Sequence, residues 1–169
     1  MTVYPKGFFK RITDIDYKYL KDNNILGLIL DVDNTLINYN EELSEDIINW
    51  IDMQKKNKIK MCILSNSNKV KKIQKVANKL DLEYIYFAMK PFKNGFNRAL
   101  RILNLKNENV AVIGDQIFTD VIGANRMKMH SILVEPIEKK DIFITVLKRP
   151  IENMIKHRYI RKKENKNVL

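Results

Sequence analysis

Five short apolar runs, each separated from the next by an amphipathic stretch of helical spacing, restrict this chain to very few folds. They read ILGLIL (25–30), KMCIL (60–64), YIYFA (84–88), VAVIG (110–114) and SILVE (131–135). Their apolar residues are continuous rather than alternating, the pattern of strands covered on both faces. Between them, Ser44 is placed to cap EDIINWIDMQKKN; Val70, Ile73, Ala77 and Leu80 share one helical face, and Phe96, Ala99, Leu100 and Leu103 share another. A fourth helix is expected from about Phe118 to Met127. Strands alternating with helices imply an α/β, Rossmann-like core: a parallel sheet of about five strands, joined by right-handed crossovers and flanked by helices.

The 169 residues, 45% of them hydrophobic, suit one domain with one core. That core is expected over about 25–135, preceded by an N-terminal extension (1–24). A C-terminal helical and basic tail (136–169) follows, in which Pro150 can start a helix. No apolar run approaches the roughly 18 residues of a membrane span, and MTVYPKGFFKRITDIDY lacks the apolar stretch of a secretory signal, so a soluble, cytoplasmic protein is expected. The lone cysteine, Cys62, sits inside KMCILS and reads as a buried strand residue, which excludes disulfide frameworks and cysteine-rich zinc sites. A net charge of +11 favours anionic partners such as nucleic acid, lipid headgroups or phosphorylated small molecules. From Lys148 onward eight basic residues face two Glu, and a solvated tail accounts for that stretch as well as an anionic partner does.

In parallel sheets, ligands gather beyond the carboxyl ends of the strands. Four of the runs meet that demand. Asp31, Asp33, Asn34 and Thr35 follow the first; Ser65, Asn66 and Ser67 the second; Lys90 and Pro91 the third; and GDQIFTD, with Asp115 and Asp120, the fourth. Carboxylates, hydroxyls and an ammonium on one edge are the parts of a magnesium-assisted reaction at a phosphoryl group. Hard carboxylate oxygens suit Mg²⁺, neutral donors and Lys hold phosphoryl oxygens, and an aspartate can act as nucleophile. The duller roles are helix or turn caps for Thr35 and Ser65, a surface position for Lys90 and a helix-start position for Asp120. His130 and His157 have no partner motifs and read as structural or solvent-facing. Trp50 and Phe96 read as core, and Asn125 and Arg126 as surface or substrate contacts.

These stretches resemble the haloacid dehalogenase-like phosphatases. DVDNT matches that family's first motif, LSN the second, the Lys of KPF the third, and GDQIFTD the GDxxxxD form of the fourth. GLILDVDNTL, SNS, KPF, GDQIFTDVIGANRM and the lead-in ITDIDYKYLKDNNI resemble more narrowly the YqeG subgroup, small phosphatases similar to the mitochondrial enzyme that dephosphorylates phosphatidylglycerophosphate. The resemblance implies that Asp31 attacks phosphorus and forms an aspartyl-phosphate, while Asp33 serves as general acid and base. It implies Mg²⁺ held by the side chains of Asp31 and Asp115 and the Asp33 carbonyl, with Asp120 supporting that shell. Thr35, Ser65 and Asn66 would donate to phosphoryl oxygens and Lys90 would neutralise charge.

Many relatives insert a cap domain, either between the first two motifs or between the second and third. Here Thr35 to Ser65 leaves 29 intervening residues and Asn66 to Lys90 leaves 23, too few for a folded domain. An open site is expected, suited to a large substrate such as a lipid in a membrane, a nucleic-acid end or a phosphoprotein. The resemblance and the basic tail favour an anionic glycerophospholipid at the inner face of a membrane, and GFFKR (7–11) reads either as an interfacial dock or as a buried anchor. Other readings are a phosphatase of nucleotides, sugar phosphates or nucleic-acid ends, a receiver-like phosphorylatable signalling module, and a scaffold with a dead site.

Overall fold

Short strands alternate with helices along the chain of this computed structural model, which describes residues 2–138. The elements are β1 (Gly7–Phe9), α1 (Tyr17–Asp22), β2 (Gly27–Leu30), α2 (Glu45–Lys56), β3 (Lys60–Leu64), α3 (Val70–Leu80), β4 (Glu83–Ile85), α4 (Lys93–Leu103), β5 (Val110–Gly114), α5 (Ile122–Arg126) and β6 (His130–Val134). All six strands are parallel, in the order β1-β6-β5-β2-β3-β4. The expected C-terminal helix over 138–160, the tail beyond residue 138 and His157 lie outside the described residues.

Continuous apolar runs form these strands because both faces of the sheet are covered. Leu28 and Leu30 of β2, with Met61 and Ile63 of β3, point to a cluster holding Ile47, Trp50 and Ile51 of α2 and Ile73, Val76, Ala77 and Leu80 of α3. Ile29, Cys62 and Leu64 point the other way, against Phe96, Ala99 and Leu103 of α4 and Ala124 of α5. Trp50 is core, as its helical face implied, and its indole N–H donates to the Ile15 carbonyl at 2.7 Å. Cys62 is fully buried and free, and burial pushes its thiol up to about 12.

Three departures from the sequence reading matter. The sheet has a sixth strand, because Gly7–Phe9 of the N-terminal extension pairs with Ile132–Val134 at one edge. Phe9 packs edge-on against Tyr19 and Phe8 beside Ile117, Val121 and Leu133, so GFFKR acts as an anchor. The run YIYFA is strand only as far as Ile85; Tyr86 and Phe87 are exposed. The fourth helix is broken in two, a π-helical turn over Ile117–Val121 followed by α5.

Elsewhere the elements begin and end for local reasons. Ser44 occupies the cap position of α2 in an extended conformation, and α1 is capped by Asp16, whose carboxylate accepts from Tyr19 N at 2.7 Å. Asn125 holds the N-terminal segment, donating to the carbonyls of Thr2 (2.8 Å) and Tyr4 (3.0 Å). His130 is half-buried, 2.8 Å from the Tyr19 hydroxyl; burial and the nearby Lys6 lower it to about 4. No cap domain interrupts the described residues, and no helix among them is long and apolar enough to cross a membrane.

Candidate active site

The carboxyl ends of β2, β3, β4 and β5 bring the four predicted clusters to one edge of the sheet. Asp31 follows β2 and continues its ladder, its N–H donating to the Ile113 carbonyl at 2.9 Å. Lys90 reaches in from the β4–α4 loop: its ammonium donates to Asp31 Oδ1 at 2.5 Å and to Asp120 Oδ1 at 2.7 Å. All three side chains are at most 8% exposed. Such a buried lysine is not a surface residue, and Asp120 does both jobs: it sits in the first turn of the π-helical segment, where it accepts from Gln116 N (3.2 Å), and it also accepts from Lys90.

Asp120 owes its position to Gly114. A Cβ on Gly114 would stand 2.3 Å from Asp120 Cγ and Oδ2, so the strand end must carry glycine for the carboxylate to lie against it. Asp115, the next residue, joins Asp31 and Asp120 in a cluster whose ligand atoms all fall within 4.8 Å of one another. Its Oδ1 is buried with no hydrogen-bond partner.

These three carboxylates and one ammonium sum formally to −3 + 1 = −2. Asp31 is raised to about 7: burial pushes it up most, the Lys90 ammonium opposes that rise, and the neighbouring Asp120 and Asp33 carboxylates add to it. Asp115 lies well above the carboxylate range for the same first reason, burial, reinforced by Asp31 and Asp120. Burial alone would lower Lys90, but Asp120 and Asp31 outweigh it and hold the ammonium above its ordinary value. A deficit of two charges, confined among hard oxygens one of which lacks a partner, fits a divalent cation.

The remaining predicted residues divide by what they touch. Thr35 Oγ1 donates to Asp31 Oδ2 at 3.4 Å, and Ser65, fully buried, accepts from Ser67 N at 3.1 Å. Asn66 closes on the backbone of Lys90: its Oδ1 accepts from Lys90 N at 2.6 Å and its Nδ2 donates to Lys90 O at 3.0 Å. Its amide therefore holds the loop that delivers the ammonium. Asp33 stands apart from the acidic cluster, its side chain 46% exposed and ion-paired with Lys72 of α3.

Lys72 was not singled out in the sequence. The available sign was a lysine in the first turn of a helix, where the macrodipole favours acids. Asn34, which the sequence shows only as one of the residues after the first run, has a structural role. It holds φ 64°, its Nδ2 donates to the Glu138 carbonyl at 2.9 Å, and its Oδ1 accepts from Glu138 N at 2.8 Å. The motif loop is thereby clasped to the segment after β6.

A parallel sheet with these acids at its carboxyl edge, and no cap, is that of a haloacid dehalogenase-like hydrolase. Two family models match in sequence, one described as haloacid dehalogenase-like hydrolase over residues 28–95, the other as HAD-hydrolase-like over 87–136. A probable phosphatase YqeG of Bacillus subtilis (strain 168) is 40% identical over 152 residues, 89% of this chain and 88% of the relative. The chain belongs to the YqeG family of haloacid dehalogenase-like phosphatases. Among solved structures, the cobalt-bound deoxy-D-mannose-octulosonate 8-phosphate phosphatase of Haemophilus influenzae shares the fold at a TM-score of 0.54 and 17% identity, over 66% of this chain and 69% of that one. An uncharacterized protein of Corynebacterium glutamicum does so at 0.55 and 19%, over 76% and 93%.

Proposed function

We propose that this chain is a Mg²⁺-dependent phosphomonoester hydrolase that works through an aspartyl-phosphate on Asp31 and acts on phosphatidylglycerophosphate at the inner face of a membrane. The observation that supports it most is the cluster of Asp31, Asp115 and Asp120, the first and last buried and Asp115 half-buried, held by one ammonium and formally short of two positive charges. In this reading Asp31, Asp115 and the Asp33 carbonyl hold the cation and Asp120 supports them. When bound, it would draw charge from the phosphoryl oxygens and make phosphorus electrophilic.

The chain's own residues would do the rest. Asp31 Oδ attacks phosphorus, the P–O bond to the leaving alcohol breaks, and Asp33 delivers the proton to that oxygen. Asp33 then takes a proton from water as it attacks the acyl phosphate, releasing phosphate and restoring Asp31. Its exposed carboxylate suits a group that exchanges protons with solvent, and the contact with Lys72 aims it. Thr35, Ser65 and Lys90 hold phosphoryl oxygens, and Asn66 contributes by fixing Lys90. No cap covers the edge among the described residues, which suits a headgroup presented by a bilayer.

The test is phosphate release from phosphatidylglycerophosphate vesicles, a nucleotide, a sugar phosphate and phosphorylated oligonucleotides, with and without Mg²⁺. Wild type should release phosphate from the lipid, and Asp31→Asn should lose at least about a thousandfold in turnover while keeping its fold. Wild-type turnover in Asp31→Asn removes the nucleophile. Activity on soluble monoesters beside inertness on the lipid removes the lipid and leaves the soluble-substrate reading.

A further inference from the structure

The loop between β4 and α4 is built against the rules of an ordinary soluble surface. Of the seven residues 86–92, four are large, apolar and exposed: Tyr86 (44%), Phe87 (55%), Met89 (49%) and Phe92 (61%). Ala88 is buried against Gly95 and Lys90 turns inward to the aspartates, so the loop is pinned from within while those four side chains meet solvent.

Backbone conformation sharpens the anomaly. Phe87 and Met89 hold φ of 47° and 54°, a left-handed region that strains bulky side chains and suits Asn or Gly. The other seven described non-glycine residues with positive φ are all Asn, Asp, Glu or Lys. An exposed Phe or Met there adds nothing to the core, so folding stability is not what these side chains serve.

The charge of the flanking segments is of one sign, the Asp33 carboxylate on Lys72 coming from another part of the chain. From Ser65 to Leu80 the chain has five Lys and no acid, and from Tyr84 to Asn107 it has no acid either. Lys71 and Lys93 stand exposed in the first turns of α3 and α4, with Lys69 at the cap, where the helix macrodipoles favour negative side chains and none occurs. Phe87 N donates to the Ser67 carbonyl at 2.9 Å, so the apolar loop runs alongside the segment that opens α3.

We propose that residues 86–92 form a membrane-docking loop. Tyr86, Phe87, Met89 and Phe92 enter the interface of an anionic bilayer, Lys69, Lys71 and Lys93 meet its phosphates, and the edge bearing Lys90 is held against the lipid surface. Aromatic and aliphatic tips beside exposed lysines match the order of such a bilayer, hydrocarbon beneath anionic headgroups. The inference rests on the reading of the substrate as a membrane lipid, and it adds the element that brings the site there.

The test uses the full chain, sedimented with vesicles of phosphatidylcholine alone or mixed with phosphatidylglycerol. The triple variant Phe87→Asn, Met89→Asn, Phe92→Gln relieves the left-handed positions, so its fold should persist, and its hydrolysis of p-nitrophenyl phosphate should be unchanged. Its binding to the anionic vesicles should fall at least about tenfold. In Phe87→Trp, fluorescence should be quenched by brominated lipid, while Trp50 of the wild type, buried in the core, should not be. Equal vesicle binding by variant and wild type, or no quenching in Phe87→Trp, overturns the proposal whatever the substrate proves to be. Loop-dependent vesicle binding without hydrolysis of phosphatidylglycerophosphate leaves docking standing and removes the substrate reading. Self-association that the triple variant abolishes, with no vesicle binding by the wild type, overturns docking in favour of contact between copies of the chain.

Discussion

Replacing Lys90 by Met probes the charge balance on which the site is built. Lys90 Nζ lies 2.5 Å from Asp31 and 2.7 Å from Asp120, with all three side chains almost wholly buried. Met keeps most of the length and removes the charge, taking the cluster from a formal −2 to −3. Removing one partner of a buried ion pair costs about 3–5 kcal/mol. In a domain of this size that lowers Tm by roughly 6–20 °C.

The loss must also depend on pH. Burial already lifts Asp31 to about 7 and Asp115 well above ordinary carboxylates, with the Lys90 ammonium pulling both down. Without it both rise further, so the folded variant binds protons that the unfolded chain, whose carboxyls titrate near 4, has released. Because the folded state then carries the more protons, stability falls as pH rises through that window. Thermal unfolding in EDTA should therefore show the variant close to wild type near pH 5 and most destabilised above about pH 8. Added Mg²⁺ should stabilise the variant more than the wild type. A loss below about 1 kcal/mol at the higher pH, or one indifferent to pH, would refute the reasoning.

Three further outcomes are expected. Gly114→Ala drives a methyl into Asp120, so turnover should fall at least about tenfold with a stability loss of about 1–3 kcal/mol, read by phosphate release and urea unfolding. Asn66→Ala removes both side-chain bonds to the Lys90 backbone, and should cost about 1–2 kcal/mol and lower kcat; an unchanged kcat would show that Lys90 keeps its place unaided. His130 is depressed to about 4 from an unfolded value near 6.5, so its stabilising share is complete above 6.5 and disappears as pH falls toward 4. Discounted for partial exposure, that is about 1–2 kcal/mol, seen as a steeper acid loss of stability in wild type than in His130→Gln.

Much of this architecture can be read from apolar patterning alone. KMCIL and VAVIG are β3 and β5 residue for residue, because strands buried on both faces admit few polar positions. The acids, the hydroxyls and Lys90 all appear where a parallel sheet places its ligands. What escapes is long-range or short. The strand Gly7–Phe9 has three residues and exists through a partner 125 positions away. Lys72 finds Asp33 across 39 residues, and Asn66 finds Lys90 across 24, separations at which local pattern is silent. Tyr86 and Phe87 mislead in the opposite way: hydrophobicity reports what a side chain prefers, and here the preference is unmet within the described residues. The break before α5 is a matter of one wider turn, invisible to a 3.6-residue period.

The order of the sheet has a consequence for how the protein is made. β1 leaves the ribosome before the other described strands, yet its one neighbour among the described residues is β6, the last of them. Throughout synthesis, then, Phe8 and Phe9 wait in an unpaired strand while β2, β3 and β5 can already assemble beside one another. Non-local pairings of this kind form late and slowly. A nascent chain stalled before His130 would leave bare the edges of β1 and β5 that β6 later pairs, exposed to whatever other chains are nearby.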